Sequence, residues 1–256
     1  LEDQGVTRLF SHQAEAAEAI HSKQNTVIAT GTSSGKSLGY QLPVLSRLGT
    51  DRTACALYLT PTKALGSDQL LSIQRLLRAA AEGLPYLSTI APAPYDGDTP
   101  TESRAGIRES SRFIFSNPDM VHASLLGAHQ RWARVLRHLE FIIIDECHTY
   151  RGVFGSHVAL VLRRLLRLCA HYGSEPTIIC ASATSADPVA QAQRLTGRAM
   201  QGVTDDGSPQ ERAPWLYGNR VSATISQARM AHRSGAPLRR RPRRSWRIWS
   251  PRVPAH

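Results

Sequence analysis

The octapeptide TGTSSGKS, Thr30 to Ser37, constrains this chain more than any other feature. A β-branched apolar run, Thr26 to Ala29, leads into it, and an apolar helical segment starting at Leu38 leads out. Strand, tight turn of small residues and helix, in that order, gather backbone N–H groups and the positive end of a helix dipole around one point, which suits a polyphosphate. Thr32, Ser33, Ser34 and Gly35 form the turn, Lys36 supplies a point charge, and Ser37 offers a hydroxyl able to ligate Mg²⁺. Lysine is scarce, three among 31 basic residues, so its presence here carries weight. Alone, the string also fits a Ser/Gly-rich turn with a solvated lysine. Its first position is Thr30, where Gly or Ala is usual, so it needs independent support.

FIIIDECH, Phe141 to His148, provides that support: a buried apolar run delivers two adjacent carboxylates at its end. Ligands of open α/β sheets bind at such strand ends. Asp145 can hold Mg²⁺ through water, and Glu146, on the other side of the chain, can activate a water for attack on a γ-phosphate. Without the loop, an exposed acidic strand end would be an equal reading. Further β-branched runs at Ala56 to Thr60, Arg112 to Phe115 and Thr177 to Cys180 alternate with amphipathic segments at Leu65 to Ala81 and His157 to His171. Near-continuous apolar strands between helices predict an α/β domain, residues 1–203, with a mainly parallel sheet covered on both faces.

Residues 204–256 break the pattern and predict a basic tail of low structure. A short helix at Val221 to Met230 and partly exposed rings at Trp215, Trp246 and Trp249 are the features expected within it. The tail dominates the formal charge of +11: eleven arginines and one acid, Glu211, lie from Gln210 onward, which leaves 20 basic and 19 acidic groups before it. Global basicity therefore says nothing about partners of the main domain. The four cysteines lack CxxC or Cys/His spacing, which argues against a structural zinc site and fits a reduced, cytoplasmic protein. No apolar run approaches the ~20 residues of a membrane helix, so no membrane partner is expected, and no signal-peptide pattern opens the chain. It begins with Leu1 rather than Met, as a fragment would.

In order and spacing these strings resemble the superfamily 2 DEAD/DEAH-box (DExH) helicases, with Gln13, PTKAL (Pro61 to Leu65), SNPDM (Ser116 to Met120) and SAT (Ser182 to Thr184) completing the set. The resemblance implies a RecA-like P-loop NTPase domain using ATP and Mg²⁺. It makes Gln13 the reader of the adenine edge, and gives Pro61, Thr62, Lys63, Ser116, Asn117 and Asp119 to a single nucleic-acid strand. It also gives Ser182, Ala183, Thr184 and His148 the coupling of nucleotide state to strand binding. Singly, these are ordinary helix caps and polar residues.

YDGDTP (Tyr95 to Pro100), HTYRGVFGSHVA (His148 to Ala159), VLRRL (Val161 to Leu165) and VTDDGSP (Val203 to Pro209) are similar to YprA/MrfA-like repair helicases, which implies DNA over RNA. Cys147, and SADP at Ser185 to Pro188, depart from that family's pattern without removing a catalytic group. The likeness stops after Pro209. QARMAHRSG, Gln227 to Gly235, lacks the Gly-Arg pair of the motif that carries the arginine finger, so the second RecA-like domain, which unwinding requires, is expected to be absent. A helicase half, an ATP- and strand-binding module with little turnover, and an inactive relic all remain open.

Overall fold

The computed structural model describes residues 8–31, 34–81 and 84–208. Thr32, Ser33 and the features expected beyond Pro209 lie outside the described residues. Seven strands form one sheet: β1 (Thr26–Ala29), β2 (Cys55–Leu59), β3 (Ala93–Pro94), β4 (Phe113–Ser116), β5 (Leu139–Ile144), β6 (Thr177–Ser182) and β7 (Gln201–Val203). Their order is β3-β4-β2-β5-β6-β1-β7. Every pairing is parallel. Strands β1, β2, β4 and β6 are buried at every position, because helices cover both faces and leave no solvent side for polar residues to alternate with.

On one face α1 (Ser11–His21), α2 (Lys36–Thr50) and α3 (Lys63–Ala81) pack against Ile28, Ala56, Tyr58, Phe113, Ile143 and Ile179. The other face carries α4 (Thr101–Ser110), α5 (Pro118–Met120) running into a π-helical turn, α6 (Ala133–Arg137), α7 (Gly152–His171) and α8 (Pro188–Thr196). There Val158, Val161, Leu162 and Leu165 of α7 meet Leu57, Ile142 and Ile144. The buried stripe of α7 follows the spacing seen in the sequence, but the helix starts at Gly152, a turn before His157. The edge strands β3 and β7 are too short for periodicity to register. Pro94 is tolerated because an outermost strand has a side with no ladder to donate to.

Arg112 is 5% exposed at the entrance of β4, yet it faces no carboxylate. Its guanidinium donates to the carbonyls of Leu48 at 2.6 Å and Asp51 at 2.9 Å and to Thr89 Oγ1 at 2.8 Å, tying the end of α2 and the turn before β3 to the sheet. One further difference concerns the boundary at 203. Residues 204–208, assigned to the tail by composition, fold back: the Gly207 N–H donates to His12 Nδ1 at 3.2 Å, and Asp206 Oδ2 accepts from the Gly31 N–H at 3.1 Å.

Candidate active site

Parallel strands all end on the same edge of the sheet, so β1, β6, β5, β2 and β4 present the loops after Ala29, Ser182, Ile144, Leu59 and Ser116 in one row. With strands ~4.8 Å apart and β6 between β1 and β5, Asp145 stands about 10 Å from the stem of the phosphate loop. That gap suits a triphosphate and its metal.

The loop is braced from within and below. Thr30 and Ser34 are buried and share a 2.7 Å hydroxyl–hydroxyl bond, which gives the unusual Thr30 a reason to be there. Gly35 takes φ 70°, and a Cβ on it would stand 2.8 Å from Gln13 Nε2, so both its backbone and its neighbour require glycine. Gln13 is buried on α1: Nε2 donates to the Gly35 carbonyl at 2.9 Å, and Oε1 accepts from the Phe10 N–H at 3.0 Å. One N–H and one lone pair of the amide remain for a base. Two braces escaped the sequence reading. His12, 1% exposed, accepts from Gly207 through Nδ1, so its proton lies on Nε2, which donates to the Ser34 carbonyl at 3.1 Å. Asp206 holds Gly31; its carboxyl is kept below the usual range, mainly by the Ser208 hydroxyl and N–H and also by the Gly31 N–H.

Asp145 is 4% exposed. Its Oδ1 accepts from the Glu146 N–H at 2.9 Å, and its Oδ2 accepts from the Tyr58 hydroxyl at 2.7 Å. A phenol has one proton, so Tyr58 must in turn accept from Tyr40, 2.9 Å away, whose hydroxyl also lies against Ser37. Hydroxyls therefore run beneath the site from Ser37 through Tyr40 and Tyr58 to Asp145, joining the two residues assigned to the metal. Burial, and then the neighbouring Asp145 carboxylate, push both phenols well above the ordinary tyrosine range and keep them protonated donors. The residues would suit Mg²⁺ on chemical grounds: a buried carboxylate with free lone pairs and a hydroxyl are hard oxygen donors that leave positions for water and phosphate.

At Glu146 the backbone leaves β5 through the left-handed region, φ 48° and ψ 40°, and enters a 3₁₀ turn, Cys147–Thr149. Glu146 Oε2 lies 3.2 Å from His148 Nδ1, and the same nitrogen lies 3.3 Å from the Ala183 N–H. One nitrogen cannot serve both at once: with a proton it donates to Glu146, and without one it accepts from Ala183. The carboxylate and the SAT segment thus share a single ring atom. Cys147 is buried against Cys180, whose thiol hydrogen bond holds the Cys147 thiol below its ordinary range.

Farther along the row, the strand-binding residues are variously occupied. Pro61 and Thr62 begin the turn into α3, with the Leu65 N–H donating to Thr62 Oγ1 at 3.4 Å. Lys63 Nζ is paired with Asp98 at 2.6 Å. Ser116 Oγ donates to the Tyr95 carbonyl at 2.7 Å, and Asn117 Oδ1 caps α5 by accepting from Met120 N at 2.8 Å. Asp119 is exposed and lies 3.5 Å from His157 Nε2. Thr184 is exposed, whereas Ser182 is buried. The structure therefore gathers the nucleotide and coupling residues closely and spreads the strand-binding residues along β2 and β4.

The ATP-dependent helicase YprA of Bacillus subtilis (strain 168) is 41% identical over 219 residues, 86% of this chain and 28% of its own length. The ATP-dependent helicase HRQ1 of Saccharomyces cerevisiae is 44% identical over 203 residues, 78% of this chain and 18% of its own. The chain thus spans less than a third of these relatives. Among solved structures, the DUF1998 helicase MrfA bound to DNA and AMPPNP superposes with a TM-score of 0.77 at 42% identity, over 82% of this chain and 29% of that one. The family model for DEAD/DEAH box helicases matches residues 10–192, and the chain belongs to that family.

Proposed function

We propose that this chain is the ATP-binding half of a cytoplasmic DNA-repair helicase, and that it holds ATP and Mg²⁺ through Gln13, Thr32 to Ser37 and Asp145. Mg²⁺, when bound, would neutralise charge developing between the β- and γ-phosphates. Lys36 attracts those phosphates, and the hydroxyl chain from Ser37 to Asp145 holds the two metal-facing oxygens in register. Glu146 takes the proton of the attacking water. His148, which faces both Glu146 and Ala183, passes the state of that carboxylate to the SAT segment and onward to a single strand lying over Pro61 to Lys63 and Ser116 to Asp119. This shared nitrogen is the observation that carries the reading, since a plain nucleotide-binding domain has no need to link its base to a neighbouring strand end. The AMPPNP and DNA in the MrfA structure support the choice of ligands.

Translocation requires a second RecA-like domain to close on the nucleotide. An arginine finger from such a domain is worth roughly 10³ to 10⁵ in rate. The 256-residue chain is therefore expected to hydrolyse ATP slowly, to be stimulated by single-stranded DNA, and to leave duplexes intact. Measuring ATP turnover with and without single-stranded DNA, alongside strand displacement, tests this. Lys36→Ala should abolish nucleotide binding. ATP and strand binding without turnover would favour a binding module, and strand-independent turnover would remove the helicase reading.

A further inference from the structure

The outward face of α7 and the end of α8 form a groove that the site above does not use. It has a volume of about 740 Å³, and the basic and imidazole groups lining it are His122, His157, Arg163, Arg164, Arg167 and Arg198, with no carboxylate. Some exposed cations elsewhere have partners of opposite charge: Arg47 meets Asp51 and Glu140, and Lys63 meets Asp98. No ion pair among the described residues involves any of the four groove arginines. A helix face meant only for solvent would gain from acids one turn away; here the positions one turn from Arg163 and Arg164 hold Leu160, 62% exposed, and Arg167.

Two of these arginines are held in place. Arg163 donates to the Ala159 carbonyl at 3.0 Å and the Arg194 carbonyl at 3.1 Å, and a Cβ on Gly197 would lie 3.3 Å from its Nε, so the turn after α8 is closely fitted against the guanidinium. Arg164 lies 3.2 Å from His122 Nδ1, and the His122 ring meets that of His157 edge-on at 5.4 Å. His157 in turn faces Asp119 at 3.5 Å. The groove is therefore continuous with the turn after β4, and it follows α7 from His157 to Ala170, about 20 Å at ~1.5 Å per residue.

We propose that this groove carries the sugar-phosphate backbone of a strand that has passed the Ser116 to Asp119 turn, with Arg164, Arg167 and Arg198 neutralising successive phosphates. The inference rests on the strand-binding reading of that turn. Nothing in the groove presents a fork of donors and acceptors fixed against a base edge, so contact there is independent of sequence and sensitive to salt.

Oligothymidylates of about 4 to about 20 nucleotides, titrated at several salt concentrations into the full chain and into Arg164→Ala/Arg167→Ala, test it. Each phosphate contact contributes about 0.7 to the slope of log affinity against log salt for a single strand, so the variant should lose roughly 1.4. The loss should be confined to the longer strands. Arg52→Ala, exposed and away from the groove, controls for net charge, and the basic residues beyond Pro209 are the same in every protein compared. Equal slopes at every length overturn the groove while leaving the strand-binding reading intact. Absence of strand binding by the unaltered chain removes both. A variant deficient in binding polyglutamate, with unchanged strand binding, would assign the groove to an acidic protein partner and overturn the proposal.

Discussion

Glu146 combines two demands in one residue: its side chain is the proposed base, and its backbone sits at φ 48°. For a residue with a Cβ that region costs roughly 1–2 kcal/mol. Glycine would remove that strain at an entropic cost of about 0.5–1 kcal/mol. Glu146→Gly is therefore expected to be at least as stable in thermal unfolding as the unaltered chain, and, like Glu146→Gln, to bind ATP without hydrolysing it. Loss of stability in Glu146→Gly would show instead that contact with His148 outweighs the strain. Undiminished hydrolysis by Glu146→Gln would assign the base elsewhere. The acid pair itself was legible in FIIIDECH, because two carboxylates ending an apolar run have few structural explanations. The left-handed turn was not, since Glu has no preference for it and only the tertiary path of the chain imposes it.

Between elements, the contacts that matter most join α2, β2 and β5 through Tyr40, Tyr58 and Asp145. Tyr58→Phe leaves Asp145 Oδ2 without its donor, a loss of about 2 kcal/mol for a buried charged acceptor. A pH signature separates this from a mere packing defect. Both phenols are raised, so the folded chain holds their protons more tightly than the unfolded chain. Stability is complete below about pH 10, where unfolded tyrosine ionises, and falls as pH rises above it, by about 1.4 kcal/mol per unit for each phenol. Denaturant melts between pH 9 and 11 should show a shallower alkaline decline in Tyr58→Phe; an identical decline would mean these phenols are not the groups responsible. Such bonds were invisible beforehand because Tyr40 and Tyr58 read as apolar positions of a helix and a strand. The strands β1, β2, β4, β5 and β6 were readable from their β-branched runs, as were the buried stripes of α3 and α7. Gln13 was legible only through its resemblance to a helicase motif. His12 and Asp206 were not, since neither was singled out by a motif or a periodic pattern, and their contacts form only in the folded chain.

Across the whole molecule, the row of strand ends brings the proposed nucleotide, coupling and strand contacts to one edge of one sheet. The comparisons place that sheet in the DEAD/DEAH box helicase family, and it spans less than a third of the length of YprA and HRQ1. The sheet order also sets a schedule for folding. The first strand in the sequence, β1, has no early neighbour: Thr26 pairs with Ile179 and Gln201, more than 150 residues later. Closing so long a connection is slow compared with forming local helices. Strands β2, β4 and β5 can assemble first, and β1 can slot between β6 and β7 only when both exist. During refolding, fluorescence of a bound nucleotide analogue should therefore rise only in the last phase, after most helical signal has returned. If nucleotide binding recovered together with the earliest helical signal, β1 would have to be in place before its partners. On a ribosome the same order means that the proposed nucleotide site, although its loop precedes most of the sheet, is completed only once Gly207 has emerged.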